Sequence, residues 1–146
     1  MTDDELAEIH AASFTTPRPW SPAEFQALRA SPLTVLVIGT DGFALGRVVA
    51  DEAELLTIAV RPASRRLGKG RRLLQEFLLA TRERGAERVF LEVAADNHPA
   101  IALYQDCAFA QTGRRKNYYV GPSGKTDALT FQRRLDRAKP PGGQSF

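Results

Sequence analysis

The sequence is poor in the side chains that bind metals and form disulfides. It contains one cysteine, Cys107, and two histidines, His10 and His98. A single cysteine excludes an internal disulfide, and these three residues are too few for a zinc cluster of Cys and His ligands. We therefore expect chemistry without a metal, with Cys107 filling the core and both histidines at the surface.

Long apolar runs are also missing. No stretch approaches the roughly 18 consecutive apolar residues that suggest a membrane span. The N-terminus opens with Asp3, Asp4 and Glu5 rather than with a basic segment followed by an apolar one. These absences predict a soluble, cytoplasmic protein that does not bind membranes.

The residues that are present fit one compact domain. The chain has 146 residues, of which 43% are apolar, and this suffices for one core. Only residues 138–146 differ in composition, with two prolines, two glycines and little to bury. We predict a single domain over residues 1–137 and a flexible tail over residues 138–146. The net charge of +3 suits an anionic ligand or a nucleic-acid-rich partner but decides between neither.

The apolar pattern predicts a mixed α/β fold, in which a central, twisted, mostly antiparallel sheet is flanked by helices. Helical patterns cover residues 3–12, 22–30 after a capping box at Ser21, 71–84 before Gly85, and the stretch after Asn97. Strand patterns cover residues 33–38, 43–50, 55–60, 89–93, 110–119 and 128–134, with a turn at 51–53.

The most informative stretch is LLTIAVRPASRRLGKGRRLL, over residues 55–74. An apolar strand runs through a glycine-punctuated basic loop directly into a helix. Gly68 and Gly70 leave room for a ligand near the backbone, and the first turn of the helix offers unpaired N–H groups to an anion. The alternative is a solvated basic loop without a ligand. The spacing matches neither the Walker pattern nor the three-glycine dinucleotide fingerprint.

The Arg-x-x-Gly-x-Gly spacing resembles the Q/R-x-x-G-x-G/A signature of the GNAT acetyltransferases. In that family the loop holds the pyrophosphate of acetyl-coenzyme A, and the preceding strand pairs with its pantetheine arm. The resemblance implies a GNAT-like fold with acetyl-coenzyme A as co-substrate. It implies cofactor-binding roles for Ile58, Ala59, Val60, Arg65, Arg66, Leu67, Gly68, Lys69, Gly70 and, at the later helix cap, Asn97.

Further motifs narrow the resemblance from the GNAT acetyltransferases as a whole to one type within them. LEVAADNHPAIALYQDCAF over residues 91–109, the NYY that ends at Tyr119 and the PWSPAEF that begins at Pro19 are similar to the ribosomal-protein-alanine N-acetyltransferases of the RimI type. This resemblance implies that Glu92 is the general base, through a water, and that Tyr104 is the general acid for the departing thiolate. Both roles agree with the chemistry of amine attack on a thioester.

The same resemblance implies that the acceptor is a protein N-terminus, that of a small-subunit ribosomal protein. We expect Trp20, Glu52, Glu54 and Tyr118 to form its walls, because an acidic stretch suits a basic peptide. Two features depart from the family. A helix follows almost at once on Met1, which leaves open a sheet without its usual first strand, and Cys107-Ala108-Phe109 has no glycine before the phenylalanine.

Other functions stay open at this point. The acceptor of a GNAT enzyme can also be another protein N-terminus, a lysine or a small amine. A non-catalytic module that binds coenzyme A or the ribosome fits the basic composition but has no need of Glu92 and Tyr104. Arginine and lysine clusters suit a nucleic-acid binder, but no nucleic-acid-binding motif accompanies them, so we expect no direct binding to nucleic acid.

Overall fold

The computed structural model describes residues 1–13, 18–65, 68–122 and 124–136. Its elements are α1 (Asp3–Ser13), α2 (Pro22–Ala30), β1 (Thr34–Ile38), β2 (Gly42–Val49), β3 (Glu52–Val60), α3 (Lys69–Glu83), β4 (Arg88–Ala94), α4 (His98–Asp106), β5 (Ala110–Gly121) and β6 (Gly124–Arg134). A single 3-10 turn over Pro62–Ser64 joins β3 to the loop before α3. The predicted tail lies outside the described residues.

The six strands form one mixed sheet in the order β1-β2-β3-β4-β6-β5. Neighbouring strands are antiparallel except β3 and β4, which run parallel. Residues of α1 and α2 pack on one face, and residues of α3 and α4 pack on the other. The predicted mixed, mostly antiparallel sheet flanked by helices is confirmed. Within the described part of the chain, no strand precedes α1, and β1 forms one edge of the sheet.

Helix α3 follows the predicted pattern. Its buried residues are the five at helical spacing that the sequence singled out, namely Leu73, Leu74, Phe77, Leu78 and Thr81. Phe77 lies against Gly46 of β2, where an added Cβ would meet its ring Cζ at 2.5 Å. This close approach fixes α3 on the sheet, and truncation of such a buried ring costs about 3–5 kcal/mol.

The prediction that His10 of α1 lies at the surface is wrong. His10 is only 2% exposed, and its ring stacks on Trp20 with 4.8 Å between the ring centroids. The backbone N–H of Trp20 donates to its Nδ1 at 3.1 Å. His10 lies one turn after Leu6, so the same face of α1 carries both into the core. His98 is exposed, as predicted.

The predicted turn at residues 51–53 is also wrong in its position. The chain turns at Ala50 and Asp51, with Ala50 at φ 55°, and β3 already begins at Glu52. Glu52 pairs with Val49 of β2, so the hairpin closes with a tight turn. The acidic stretch is therefore part of a strand and not a loop.

Candidate active site

Strands β3 and β4 separate halfway along their length. They pair only where residues 52–55 of β3 lie beside residues 88–91 of β4. Beyond that point β3 continues paired with β2, and β4 continues paired with β6. The edges that β3 and β4 turn toward each other therefore carry backbone N–H and C=O groups without a strand partner there. Such groups need partners, and an extended ligand between the strands can supply them.

A bulge at Leu56 changes which side chains of β3 face the opening. Leu55 pairs with Gly46 and Thr57 with Leu45, so Leu56 is the extra residue. Before the bulge Leu55 packs in the cluster around α3, and after it Ile58 does. Thr57 consequently faces the side of α1 and α2. It is 6% exposed, and its hydroxyl has no hydrogen-bond partner among the described residues.

A cleft of about 530 Å³ lies at this opening. It is lined by residues from β3, β4, α4, β5 and β6, together with His10 of α1 and Trp20 of the segment between α1 and α2. Seven of the predicted site residues line it, namely Trp20, Glu54, Ile58, Glu92, Asn97, Tyr104 and Tyr118. The fold thus gathers into one cavity residues that lie far apart in the sequence.

Glu92 stands on β4 just past the last pairing with β3. Its neighbours Leu91 and Val93 point into the core, whereas its own side chain is 34% exposed and lines the cleft. Its Oε1 lies 3.5 Å from Nη2 of Arg115. The carboxylate is therefore accessible from the cleft and has a cation beside it. That position suits an acceptor of protons from a bound amine.

Tyr104 reaches the same cleft from α4. It is 6% exposed and packs beside Phe109 and Phe131, at ring-centroid distances of 5.9 Å and 6.4 Å. Burial, together with the nearby Tyr119, raises the pKa of Tyr104 well above its usual value. The phenol therefore stays protonated at neutral pH and remains a hydrogen-bond donor.

Strand β5 supplies a wall that contains a residue the sequence analysis missed. The guanidinium carbon of Arg115 lies 5.1 Å from the centroid of the Tyr118 ring, and the rings of Tyr118 and Tyr119 meet edge to face at 5.2 Å. Burial, with Glu92 as the next cause, raises the pKa of Tyr119 to about 12. In the sequence Arg115 is one of three consecutive basic residues, a pattern typical of a solvated strand, so it gave no signal of its own.

The N-terminal end of α3 exposes backbone N–H groups. Gly68 caps α3 at φ 74° without a side-chain cap, so the N–H groups of the first turn point out of the helix end. A Cβ at Gly70 would meet only Leu103, at 3.5 Å, which is an ordinary contact. Arg66 and Leu67, also predicted to bind the cofactor, lie outside the described residues.

Two basic side chains of this segment form hydrogen bonds or an ion pair with other parts of the protein. Arg65 donates from Nε to the carbonyl of Val60 at 3.2 Å and from Nη2 to Oγ of Ser13 at 3.1 Å. Lys69 forms an ion pair with Asp41 in the β1–β2 turn. These contacts hold the loop to α1 and to that turn. The side chains of Arg65 and Lys69 are thus occupied, while the first turn of α3 leaves its backbone N–H groups for a ligand.

Seven of the predicted site residues that the structure describes do not line the cleft, namely Glu52, Ala59, Val60, Arg65, Gly68, Lys69 and Gly70. Glu52 lies at the far end of β3, where its Oε1 is 3.9 Å from Nη2 of Arg88. Ala59 is 3% exposed, packs in the cluster under α1 and α2 and pairs with Phe43 of β2, so neither its side chain nor its backbone faces the opening. Val60 packs against the cluster of α3 beside Ile58.

The remaining predictions concern Cys107, metals and membranes. Cys107 is buried at the C-terminal end of α4, as predicted for a core residue, and burial raises the pKa of its thiol. Among residues 1–13, 18–65, 68–122 and 124–136, no three His, Cys, Asp or Glu side chains are grouped so as to hold a metal ion. None of the helices in those ranges is long and apolar enough to cross a membrane.

Comparison with known proteins agrees with this architecture. Residues 3–109 match the family described as "Acetyltransferase (GNAT) family". The [Ribosomal protein bS18]-alanine N-acetyltransferase of Escherichia coli is 36% identical over 132 residues, which cover 88% of this chain and 89% of that protein. The N-alpha-acetyltransferase RimI of Mycobacterium tuberculosis is 40% identical over 136 residues, which cover 87% of this chain and 83% of that protein.

The fold agrees as well. The crystal structure of the ribosomal-protein-S18-alanine N-acetyltransferase from Escherichia coli superposes with a TM-score of 0.82 at 30% identity, and the match covers 99% of this chain and 93% of that one. The family match over residues 3–109 and the relatives at 36% and 40% identity define the chain as an acyltransferase. The chain belongs to the GNAT family of acetyltransferases and is an acetyl-coenzyme A-dependent N-acetyltransferase.

Proposed function

We propose that the protein acetylates the α-amino group of the N-terminal alanine of a small-subunit ribosomal protein of the bS18 type, in a ternary complex with acetyl-coenzyme A. The observation that carries the proposal is that Glu92 and Tyr104 line one cleft, where β3 and β4 separate. The relatives named for alanine acetylation of bS18 support the choice of acceptor. A ribosomal acceptor also agrees with a cytoplasmic location.

The free edge of β3 suits the arm of acetyl-coenzyme A, which supplies the thioester when it is bound. The backbone N–H and C=O of Ile58 and the N–H of Val60 lie beyond the last pairing with β4 and are available to the amides of that arm, whereas the C=O of Val60 accepts from Arg65. The first-turn N–H groups of α3 suit a diphosphate. Arg65 and Lys69 hold the loop that carries Gly68, and Asn97 caps α4 by accepting from the N–H of Ala100 at 3.3 Å.

Gly70 supports this site independently. It lies in the first turn of α3, where glycine is less favourable than alanine by about 0.5–1 kcal/mol. A Cβ at Gly70 would make only an ordinary contact with Leu103. The fold itself therefore does not require glycine at this position. Close approach of a ligand to the backbone does, and acetyl-coenzyme A provides that reason.

Glu92 serves as the general base. An α-amino group has a pKa near 8, so it is mostly protonated at neutral pH and must lose a proton before it attacks. Glu92 accepts that proton, through a water in the open part of the cleft. Arg115, 3.5 Å from the carboxylate, orients it toward the cleft.

Tyr104 assists the leaving group. The thiol of coenzyme A has a pKa near 8.5, by analogy with cysteine, so its thiolate needs stabilisation as the bond to the acetyl carbon breaks. Because burial raises the pKa of Tyr104, the phenol stays protonated at neutral pH and donates a hydrogen bond to the developing thiolate. This assistance does not require a covalent enzyme intermediate, and the buried Cys107 takes no part.

The acceptor lies on the other side of the opening, against Trp20, Glu54 and Tyr118. Glu54 is partly exposed, with its Oε1 3.4 Å from Nη2 of Arg47, and its charge suits a positive N-terminus. Glu52 lies outside the cleft wall and acts on the acceptor only through solvent. The two glutamates therefore form a matched pair for testing the role of charge.

The test is thiol release from acetyl-coenzyme A with a panel of amines, followed by mass spectrometry to locate the acetyl group. The panel contains a peptide with the N-terminal sequence of bS18, the same peptide with a blocked N-terminus, a lysine peptide and a polyamine. We expect the free alanine N-terminus to have the highest kcat/KM and the blocked peptide to be inert. Preferential turnover of the lysine peptide or the polyamine would assign a different acceptor.

A further inference from the structure

Strand β5 carries a bulge beside the cleft. Its pairing with β6 jumps from Arg115 opposite Ala128 to Tyr119 opposite Thr126. The three residues 116–118 thus stand opposite one residue, Asp127. Asn117, in the middle of the bulge, has φ 53°, a left-handed conformation that asparagine tolerates better than most residues. A bulge of this kind re-aims the side chains next to it.

The side chain of Asp127 holds the bulge. Its Oδ1 accepts from the backbone N–H of Asn117 at 2.8 Å, and its Oδ2 accepts from Nε of Arg114 at 2.6 Å. These two hydrogen bonds, the one from Asn117 being the larger cause, hold the pKa of Asp127 below its usual range. The group is therefore ionised at neutral pH, and both of its oxygens are occupied by donors.

The backbone of Asp127 joins the bulge to the strand that carries the base. Its carbonyl accepts from the N–H of Ala95 at 2.9 Å, directly after the end of β4. One residue thus ties together the bulge on β5 and the C-terminal end of the strand that carries Glu92. Asp127 itself does not line the cleft.

Arg115 and Tyr118, beside and within the bulge, do line the cleft. Arg115 is the last residue paired before the bulge, and Tyr118 is the final residue of the bulge. Arg115 lies against both Glu92 and the ring of Tyr118, at 3.5 Å and 5.1 Å. If the bulge slips by one residue, side chains on β5 turn to the other face of the sheet. The positions of Arg115 and Tyr118 therefore depend on what fixes the bulge.

We propose that Asp127 is a positioning residue for the acceptor site. Its carboxylate fixes the β5 bulge so that Arg115 and Tyr118 face Glu92 across the cleft, and its loss weakens acceptor binding while acetyl-coenzyme A binding stays intact. The proposal relies on the proposed function for the side of the cleft on which the acceptor binds. It does not depend on which amine the acceptor is. The hydrogen bonds of Asp127 described above go to β5 and to the residue after β4, and not to β3 or α3, which form the cofactor side.

The experiment compares the full-length wild-type protein with Asp127→Ala, Asp127→Asn and the control Asp136→Asn. Asp136 is exposed beyond the end of β6, so its variant removes the same charge away from the bulge. KM for acceptor and KM for acetyl-coenzyme A are measured separately. We expect Asp127→Ala to raise the acceptor KM on the order of 10- to 100-fold, as for a displaced positioning contact. Its acetyl-coenzyme A KM stays at the wild-type value.

The asparagine variant separates geometry from charge. It keeps an oxygen for the N–H of Asn117 but loses the ion pair with Arg114, so its acceptor KM lies between those of wild type and Asp127→Ala. NMR supplies a readout that needs no acceptor, because the Asn117 amide and the Tyr118 and Tyr119 ring signals report the bulge directly. We expect all three to shift in Asp127→Ala and to stay unchanged in Asp136→Asn.

The outcomes separate this proposal from the identity of the acceptor. If the bS18 peptide is not a substrate, the proposed function fails, and the KM ratio is measured with whichever amine is turned over. If no amine is turned over, the NMR signals decide: unchanged tyrosine signals in Asp127→Ala overturn the proposal. An unchanged acceptor KM overturns it too, as does a parallel rise of both KM values with a lower Tm, which would indicate a merely structural role.

Discussion

The two sides of the cleft are built by different means. On the cofactor side, the free edge of β3 and the N-terminal turn of α3 present backbone, while Arg65 and Lys69 brace the loop. On the acceptor side, β5 presents charged and aromatic side chains, Arg115 and Tyr118, aimed by a bulge. Backbone recognition suits a ligand that never varies. Side chains can change one at a time, so we propose that acceptor choice depends on the second side.

The largest effect is expected at the junction of the two sides. Glu92→Gln keeps the shape of the base but not its basicity, and Tyr104→Phe removes only the hydroxyl. Each should lower kcat by about 10²- to 10⁴-fold, the range for general acid–base catalysis, with KM for acetyl-coenzyme A unchanged. Steady-state thiol release measures both constants. Retention of kcat in either variant would remove that residue from the mechanism.

A pair of backbone variants tests the cofactor side. Gly70→Ala should stabilise α3 by about 0.5–1 kcal/mol, because alanine is the better helix former. Ala108→Gly should also stabilise, since Ala108 has φ 66° and left-handed backbone costs about 1–2 kcal/mol in a residue with a Cβ, partly offset by the greater freedom of glycine in the unfolded chain. Thermal unfolding measures both changes.

Only one variant of this pair should affect binding. Gly70→Ala places a methyl group where acetyl-coenzyme A approaches the backbone, so its KM should rise on the order of 10-fold, a loss of about 1.4 kcal/mol. Ala108→Gly lies at the end of α4 and leaves that KM unchanged. Equal KM values in the two variants would mean that the first turn of α3 does not contact the cofactor.

The glutamates of β3 test charge on the acceptor side. Glu54→Gln should raise KM for a basic N-terminal peptide about 2- to 5-fold, the size expected of a partly exposed charge, and the effect should shrink with added salt. Glu52→Gln removes the same charge outside the cleft and should change nothing measurable. Similar effects of the two variants would assign the attraction to the general charge of the protein.

The smallest effect is expected at His10, whose protonation should make stability depend on pH. Burial lowers the pKa of His10 from 6.5 to about 4. As pH falls below the ordinary value, the unfolded chain takes up a proton while the folded protein resists it. Stability should therefore decline between about pH 6.5 and pH 4 and level off below that range. Urea unfolding at several pH values measures the decline, and His10→Gln should remove this part of it.

Local patterns were sufficient to predict much of this molecule. The five buried residues of α3, the capping box at Ser21 and the cap at Asn97 depend only on neighbours within one helix. Glu92 and Tyr104 were identified through family resemblance, since neither is unusual as a lone strand carboxylate or helix tyrosine. The structure adds that both line one cleft.

What the sequence could not predict depends on bulges and on long-range packing. The extra residue at Leu56 decides that Thr57 turns toward α1 while Ile58 turns toward α3. The bulge on β5 brings Arg115 to Glu92, and nothing in a run of basic residues signals that pairing. His10 was expected at the surface because its burial depends on the distant Trp20.

The most direct test of the account is a crystal structure of the protein with coenzyme A and the acceptor peptide bound together. We predict that the pantetheine arm lies between β3 and β4 along residues 58–60, with its sulfur near Tyr104, and that the peptide N-terminus meets Glu92 from the side of Tyr118. Coenzyme A bound away from this opening, for instance in the smaller pocket beside Asp41 and Arg72, would contradict the account.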